Sequence, residues 1–136
     1  MAERTFAIIK PDATANGVAG LIIYLTELNK FKILKMEKTQ FTQEKAKEFY
    51  GVHKEKPFFS ELVENIISGP VIIMALEKEN AIADWRTFMG ATDPLKSTPG
   101  TLRNMFGKSI SWNAVHGSDS PENAKTELGL FFPNLK

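Results

Sequence analysis

Val71-Ile72-Ile73-Met74-Ala75-Leu76 is an unbroken apolar run, entered through Gly69-Pro70 and left through Glu77-Lys78-Glu79. A strand with one wet face alternates apolar and polar side chains, whereas a short continuous run fits a strand covered on both faces. Thr5 to Ile9 (TFAII) reads the same way and is closed by Lys10-Pro11-Asp12. The proline has no N–H to give a ladder, so it opens the strand end and leaves Lys10 at the terminus. These two runs are the expected buried pair of a sheet.

Between them, Val18, Leu21, Ile22, Leu25 and Leu28 recur at helical spacing and predict a first helix from near Gly17 to near Asn29, with that stripe inward. Ile33 to Phe41 alternates in part, with Leu34 and Met36 set against Lys35 and Glu37, which predicts an edge strand with one solvated face. Ala46, Phe49 and Tyr50 mark one side of a further helix. Pro57 opens the next, with Phe59, Leu62, Val63 and Ile66 as its inward stripe. At roughly 100° per residue, Phe58 falls about a third of a turn from that stripe and is left to face a cleft.

Downstream of the central run, Glu79 to Met89 reads as a helix with Ile82, Trp85 and Met89 inward and Arg86 on its shoulder. From Gly90 to Gly107 the chain becomes a long structured loop with a brief helical turn around Leu102 to Phe106, and long loops inside compact proteins usually carry function. Ser120-Pro121-Glu122 then starts a helix, with the serine as cap and the proline in first position. That helix is expected to end near Glu127, and Leu128 to Phe132 to supply a fourth strand. The order predicts an α+β sandwich with an antiparallel sheet, in one domain over residues 1–136.

Composition narrows the function. Seventeen basic against sixteen acidic residues give a net charge of +1, so no global field draws the chain to nucleic acid or a membrane, and a bound anion must be held by local geometry. The absence of cysteine excludes a disulfide framework, a thiol nucleophile and a thiolate metal site, and two histidines do not complete a zinc shell. No apolar run approaches the roughly twenty residues of a spanning helix, and a cytoplasmic protein is expected.

The chemistry centres on NAVHGSDS, residues 113–120. Imidazole is largely neutral at physiological pH and can take up an electrophile and release it again, while Gly117 allows close approach of backbone donors. On local sequence alone, His116 among polar turn residues reads first as an ordinary solvated or capping histidine, and only the rest of the chain can overturn that. A serine-hydrolase reading of His116, Ser118 and Asp119 fails because triad members converge from separate segments and no G-x-S-x-G elbow is present. Gly107-Lys108-Ser109 copies the end of a phosphate-binding P-loop, but Leu102 stands where its first glycine belongs. No G-x-G-x-x-G follows a strand either. What remains is Lys10, Arg86, Thr92, Arg103 and His116. Each alone fits a solvated surface, but together in one cleft they could clamp polyphosphate oxygens and stabilise a phosphoryl group in transfer.

The segments AIIKPD, FYGVHKEKPFF, SGPV, RTFMGATDP, PGTLR and NAVHGSDS, in that order and spacing, resemble nucleoside diphosphate kinases over essentially the whole chain. The resemblance implies a ferredoxin-like sandwich, its four-stranded antiparallel sheet covered by helices. It also implies ping-pong transfer of a terminal phosphate from a nucleoside triphosphate to a diphosphate through a phosphohistidine. By that likeness His116 is the nucleophile, with Glu127 bonded to one ring nitrogen. Lys10, Tyr50, Arg86, Thr92, Arg103 and Asn113 contact phosphates or sugar hydroxyls, and Phe58 and Ile110 hold the base. Mg²⁺ is carried by the nucleotide phosphates with no protein ligand. Ser118 and Asp119 hold the loop, and His53 is a surface residue.

The resemblance further implies a homo-oligomer, a tetramer or hexamer of dimers, assembled partly through the loop holding Pro94 and the C-terminal tail. The chain departs from the family's usual residues at Lys56, Trp85, Asp93, Met105 and Trp112, none of them a site position of the family. Two other readings stand beside this one: a nucleic-acid-binding module, against which no RNP1-like stretch is found, and a catalytically idle nucleotide-binding oligomer.

Overall fold

The computed structural model describes residues 2–51 and 55–135. The reading of His53 lies outside them. Four strands form one antiparallel sheet in the order β2-β3-β1-β4: β1 is Ala2–Ile9, β2 Lys32–Thr39, β3 Val71–Glu79 and β4 Val115–Gly117. The two apolar runs are the inner strands and pair along their length, from Ala2 opposite Glu79 to Ile9 opposite Ile72. β2 is the edge strand expected, with an irregularity in its pairing between Ile33 and Lys35.

Side chains of a strand alternate between faces. Phe6, Ile8, Val71, Ile73 and Ala75 therefore enter one core, while Ala7, Ile9, Met74 and Leu76 enter another. The first is closed by α3 (Gln43–Phe49), α4 (Phe59–Ile67) and α7 (Pro121–Phe131) through Ala46, Phe49, Val63, Ile66 and Leu128. The second is closed by α2 (Ala19–Leu28), α5 (Ala81–Met89) and α6 (Leu102–Phe106) through Ile22, Trp85, Met89 and Leu102. Two-sided burial is why the runs carry no polar alternation. It also covers the sheet face on which a ferredoxin-like module would stack RNA bases, so the nucleic-acid reading is not favoured.

The helix starts follow the capping chemistry. Thr42, Thr101 and Ser120 each accept a bond from the backbone N–H three residues on, and Pro121 sits at the first position of α7. Pro11 does the same for a short helix not anticipated from sequence, α1 (Pro11–Ala15), which begins directly after Lys10.

Four expectations are corrected. Leu128 to Phe132 is not a strand, because α7 continues to Phe131. There Phe131 stacks on Phe6 at 4.8 Å and on Phe41 at 5.0 Å, a packing that a helix ending at Glu127 could not give. A short apolar run does not distinguish buried helix from strand by periodicity. The fourth strand is instead Val115–Gly117, which places His116 in the sheet, opposite Ile8, and not in a turn. Glu79 ends β3, and the next helix starts at Ala81 after Asn80, whose φ of 59° makes the turn. Finally, Ile22 of the first helix's stripe is buried, but Leu21 and Leu28 are about half exposed.

Candidate active site

β1 delivers Lys10 to the end of the sheet, where its backbone N–H donates to Ala114 and its ammonium donates to Asn113 Oδ1 at 2.9 Å. Asn113 in turn donates to the Thr92 carbonyl at 3.1 Å, tying the long loop to the strand end. Burial, then the nearby Arg103, brings the Lys10 ammonium down to about 8 against the opposing pull of Asp12. Asp12 accepts the Ala114 N–H at 3.0 Å. That bond steadies an unusual turn: Ala114 has a φ of 73°, and Val115 N–H returns to the Asn113 carbonyl at 2.9 Å. A residue with a Cβ in this region carries strain of about 1–2 kcal/mol, and here the strain sits two residues before His116.

His116 projects from β4 toward α7, where Nε2 lies 3.2 Å from Glu127 Oε1. An ionised carboxylate only accepts, so Nε2 carries the proton and Nδ1 is left with its lone pair. Glu127 is held by a second donor, the Ser118 hydroxyl at 2.7 Å. Ser118 thus fixes the carboxylate as well as the loop, a role its sequence position did not reveal. Burial lowers the His116 pKa, with the Glu127 bond pulling the other way, and the ring packs edge-on to Phe49 at 4.8 Å. A neutral imidazole results.

The Arg103 guanidinium projects from α6 and is anchored by donation to the Gly90 carbonyl at 3.2 Å and the Val115 carbonyl at 2.9 Å. Its Nε is buried with no hydrogen-bond partner. Burial, then Arg86, brings the group down to about 10, so it stays charged at neutral pH. Tyr50, which ends α3, is buried, and burial followed by the Glu127 charge pushes its hydroxyl up, keeping it protonated. Arg86 and Thr92 are exposed. Phe58 is 45% and Ile110 58% exposed. Phe58 precedes α4 as its cap, so it leaves the inward stripe because the helix has not yet begun, not because of a rotation within it.

All ten residues singled out from the sequence line one cleft of about 550 Å³: Lys10, Tyr50, Phe58, Arg86, Thr92, Arg103, Ile110, Asn113, His116 and Glu127. Glu48, Asp119, Asn123 and Thr126 are among the other residues that line it. The sequence reading had not placed Glu48, Asn123 or Thr126 there, and no spacing signal marks them. Asp119 bonds Asn123 at the start of α7. Three cations facing an imidazole whose far nitrogen is tied to a carboxylate form the layout of a phosphoryl-transfer site.

Comparison with known proteins agrees. The family model for nucleoside diphosphate kinase matches residues 3–136. The nucleoside diphosphate kinase of Pelobacter propionicus is 52% identical over 98% of both chains, and that of Nitratiruptor is 55% identical over 96% of this chain and 95% of its own. Among solved structures, the Aquifex aeolicus nucleoside diphosphate kinase superposes with a TM-score of 0.96 at 44% identity, covering 99% of this chain and 98% of its own. The Halobacterium salinarum enzyme, in complex with CDP, gives 0.94 at 38% identity, covering 98% and 90%. The chain belongs to the nucleoside diphosphate kinase family, the ferredoxin-like α+β sandwich whose members are phosphotransferases.

Proposed function

We propose that this chain, one domain over residues 1–136, moves the terminal phosphate of a nucleoside triphosphate to a nucleoside diphosphate through His116. The observation that carries this is the His116–Glu127 bond, which leaves Nδ1 as the nucleophile. Its lone pair attacks the terminal phosphorus, and the P–O bond to the diphosphate breaks with its electrons leaving on oxygen. The imidazolium charge so formed lies against the Glu127 carboxylate, and no proton has to move. In the second half, a terminal oxygen of the acceptor diphosphate attacks the same phosphorus, and the P–N electrons return to Nδ1.

Lys10, Arg86 and Arg103 would meet the charge spread over the phosphate oxygens, with Tyr50, Thr92 and Asn113 as neutral partners to phosphate or sugar. Phe58 and Ile110 would hold the base by apolar contact. Stacking of this kind contributes about 1–3 kcal/mol per base and accepts any base. The CDP in the Halobacterium salinarum structure supports a nucleotide as occupant. Mg²⁺ would be carried by the nucleotide phosphates, whose remaining charge Lys10, Arg86 and Arg103 of the cleft would meet. When bound, it would screen phosphate charge.

A homo-oligomer, tetramer or hexamer, is part of the same reading. Leu21, Tyr24 and Leu28 lie along one side of α2 and are exposed, and Leu95 beside Pro94 is 89% exposed. Among the described residues no helix is long and apolar enough to cross a membrane. We assign the enzyme to the cytoplasm, where its nucleotide substrates reside.

The test is to incubate the protein with terminally labelled ATP and Mg²⁺, remove the nucleotide, and add unlabelled GDP. An acid-labile, base-stable label on the protein that passes to GTP is expected. No retained label, or one that GDP does not collect, would overturn the mechanism. Lys10 adds a pH signature. Because its charged form holds phosphate, ADP affinity in the free protein should fall about tenfold between pH 7 and 9 as the ammonium titrates near 8. Calorimetric titration should show this slope in the native protein and, over the same pH 7 to 9, a nearly flat profile in Lys10→Met. A slope retained in Lys10→Met would assign it to another group.

A further inference from the structure

Trp85 was expected as part of the inward stripe of its helix and as a departure from the family's usual residue, with no part in the site. It is fully buried, yet its one polar atom is satisfied: Nε1–H donates to the backbone carbonyl of His116 at 3.2 Å. The indole also lies against Gly117, where a Cβ would stand 2.2 Å from Cδ1 and 2.7 Å from Nε1. The glycine after the histidine is therefore demanded by the approach of this ring. Phe31 and Phe88 pack edge-on to the indole at 5.3 and 5.9 Å and leave it little freedom.

β4 has only three residues and pairs with β1 alone, so a second hold on it matters more than it would on an inner strand. That hold comes from α5, the helix whose next residue, Arg86, lines the cleft. Neighbouring helical residues project about 100° apart, so a single segment of backbone places the indole against the nucleophile's strand and a guanidinium in the cleft.

We infer that Trp85 is a positioning residue for phosphotransfer: its bond to the His116 carbonyl and its contact with Gly117 lock β4 to α5, fixing the imidazole relative to Glu127 and to the Arg86 side of the cleft. The inference rests on His116 being the nucleophile. A shift of about 1 Å in such a group can slow a reaction on the order of 100-fold, and the imidazole–carboxylate bond at 3.2 Å has little length to spare. A ring that merely filled the core would affect stability and nothing else.

Trp85→Ala would empty the core, so the test replaces Trp85 with its benzothiophene isostere, which keeps the shape and exchanges N–H for sulfur. Trp85→Phe is the second variant. Single-turnover phosphorylation of the protein by ATP and Mg²⁺, ADP affinity, imidazole ¹⁵N shifts and the thermal midpoint are measured for each. The expected result is phosphorylation slowed about tenfold or more, ADP affinity within about twofold of native, and ¹⁵N shifts that no longer report one fixed His116 tautomer. A lower thermal midpoint with native phosphorylation rate and native ¹⁵N shifts would overturn the inference while leaving the functional reading intact. Failure of the native protein itself to take up phosphate would overturn both.

Discussion

His116→Ala should retain ADP binding and the fold, take up no label from ATP, and turn over at least about 10⁵-fold more slowly than the native protein. The expected size follows from what is removed: without the nucleophile both half-reactions lose their bond-forming atom, and removing a covalent nucleophile elsewhere costs on the order of 10⁶ in rate. Phosphate binding should persist because the cations are placed independently of the ring. Lys10 is held by Asn113, and Arg103 by the Gly90 and Val115 carbonyls. The fold should persist because Glu127 keeps the Ser118 hydroxyl when the imidazole goes. Loss of the ring's packing on Phe49 should lower stability by about 1–2 kcal/mol, within the common range for one substitution. Labelling, calorimetry with ADP and a thermal melt on one preparation separate these effects. Retained labelling would move the nucleophile to another side chain, and lost ADP binding would show that the ring shapes the cleft as a whole.

The inner strands were legible because burial on both faces removes polar alternation, and Val71 to Leu76 and Thr5 to Ile9 carry that mark in full. β4 was not legible, for the opposite reason. Val115–Gly117 is too short for any period to show, and it is a strand only because β1 offers it partners at Ala7, Ile8 and Ile9. Leu128 to Phe132 took its place in the reading since a short apolar run has the same composition in either state, and only stacking of Phe131 on Phe6 and Phe41 decides for helix.

The cleft shows a similar division. Lys10, Arg86, Arg103 and His116 stand out by charge and chemistry in a nearly neutral chain, Phe58 by its place beside the inward stripe, and the family likeness supplied Tyr50, Ile110, Asn113 and Glu127. Asp12 and Trp85 act through backbone atoms, at the Ala114 N–H and the His116 carbonyl. Contacts to backbone leave no requirement on the residue type of the partner, so no pairing of side chains in the sequence could announce them.

Arg103→Ala should lower kcat on the order of 10²–10³-fold, about 3–4 kcal/mol of transition-state stabilisation, with a smaller effect on ADP affinity. The guanidinium has its cost of ordering met before substrate arrives, since two carbonyls fix it and its Nε carries no competing bond. A donor so fixed does not reorganise as charge shifts on the phosphoryl oxygens, and that is the condition under which one group is worth several kcal/mol. Burial and the neighbouring Arg86 already press its charge toward neutrality, down to about 10, so an incoming phosphate relieves a repulsion as well as gaining a bond. Truncation also frees the Val115 carbonyl next to His116, which opens a second route to loss through movement of β4. Added guanidinium separates the two: recovery of rate in Arg103→Ala would assign the loss to missing charge at the phosphate. Absence of any recovery, with His116 ¹⁵N shifts displaced from native, would instead make Arg103 a brace for β4.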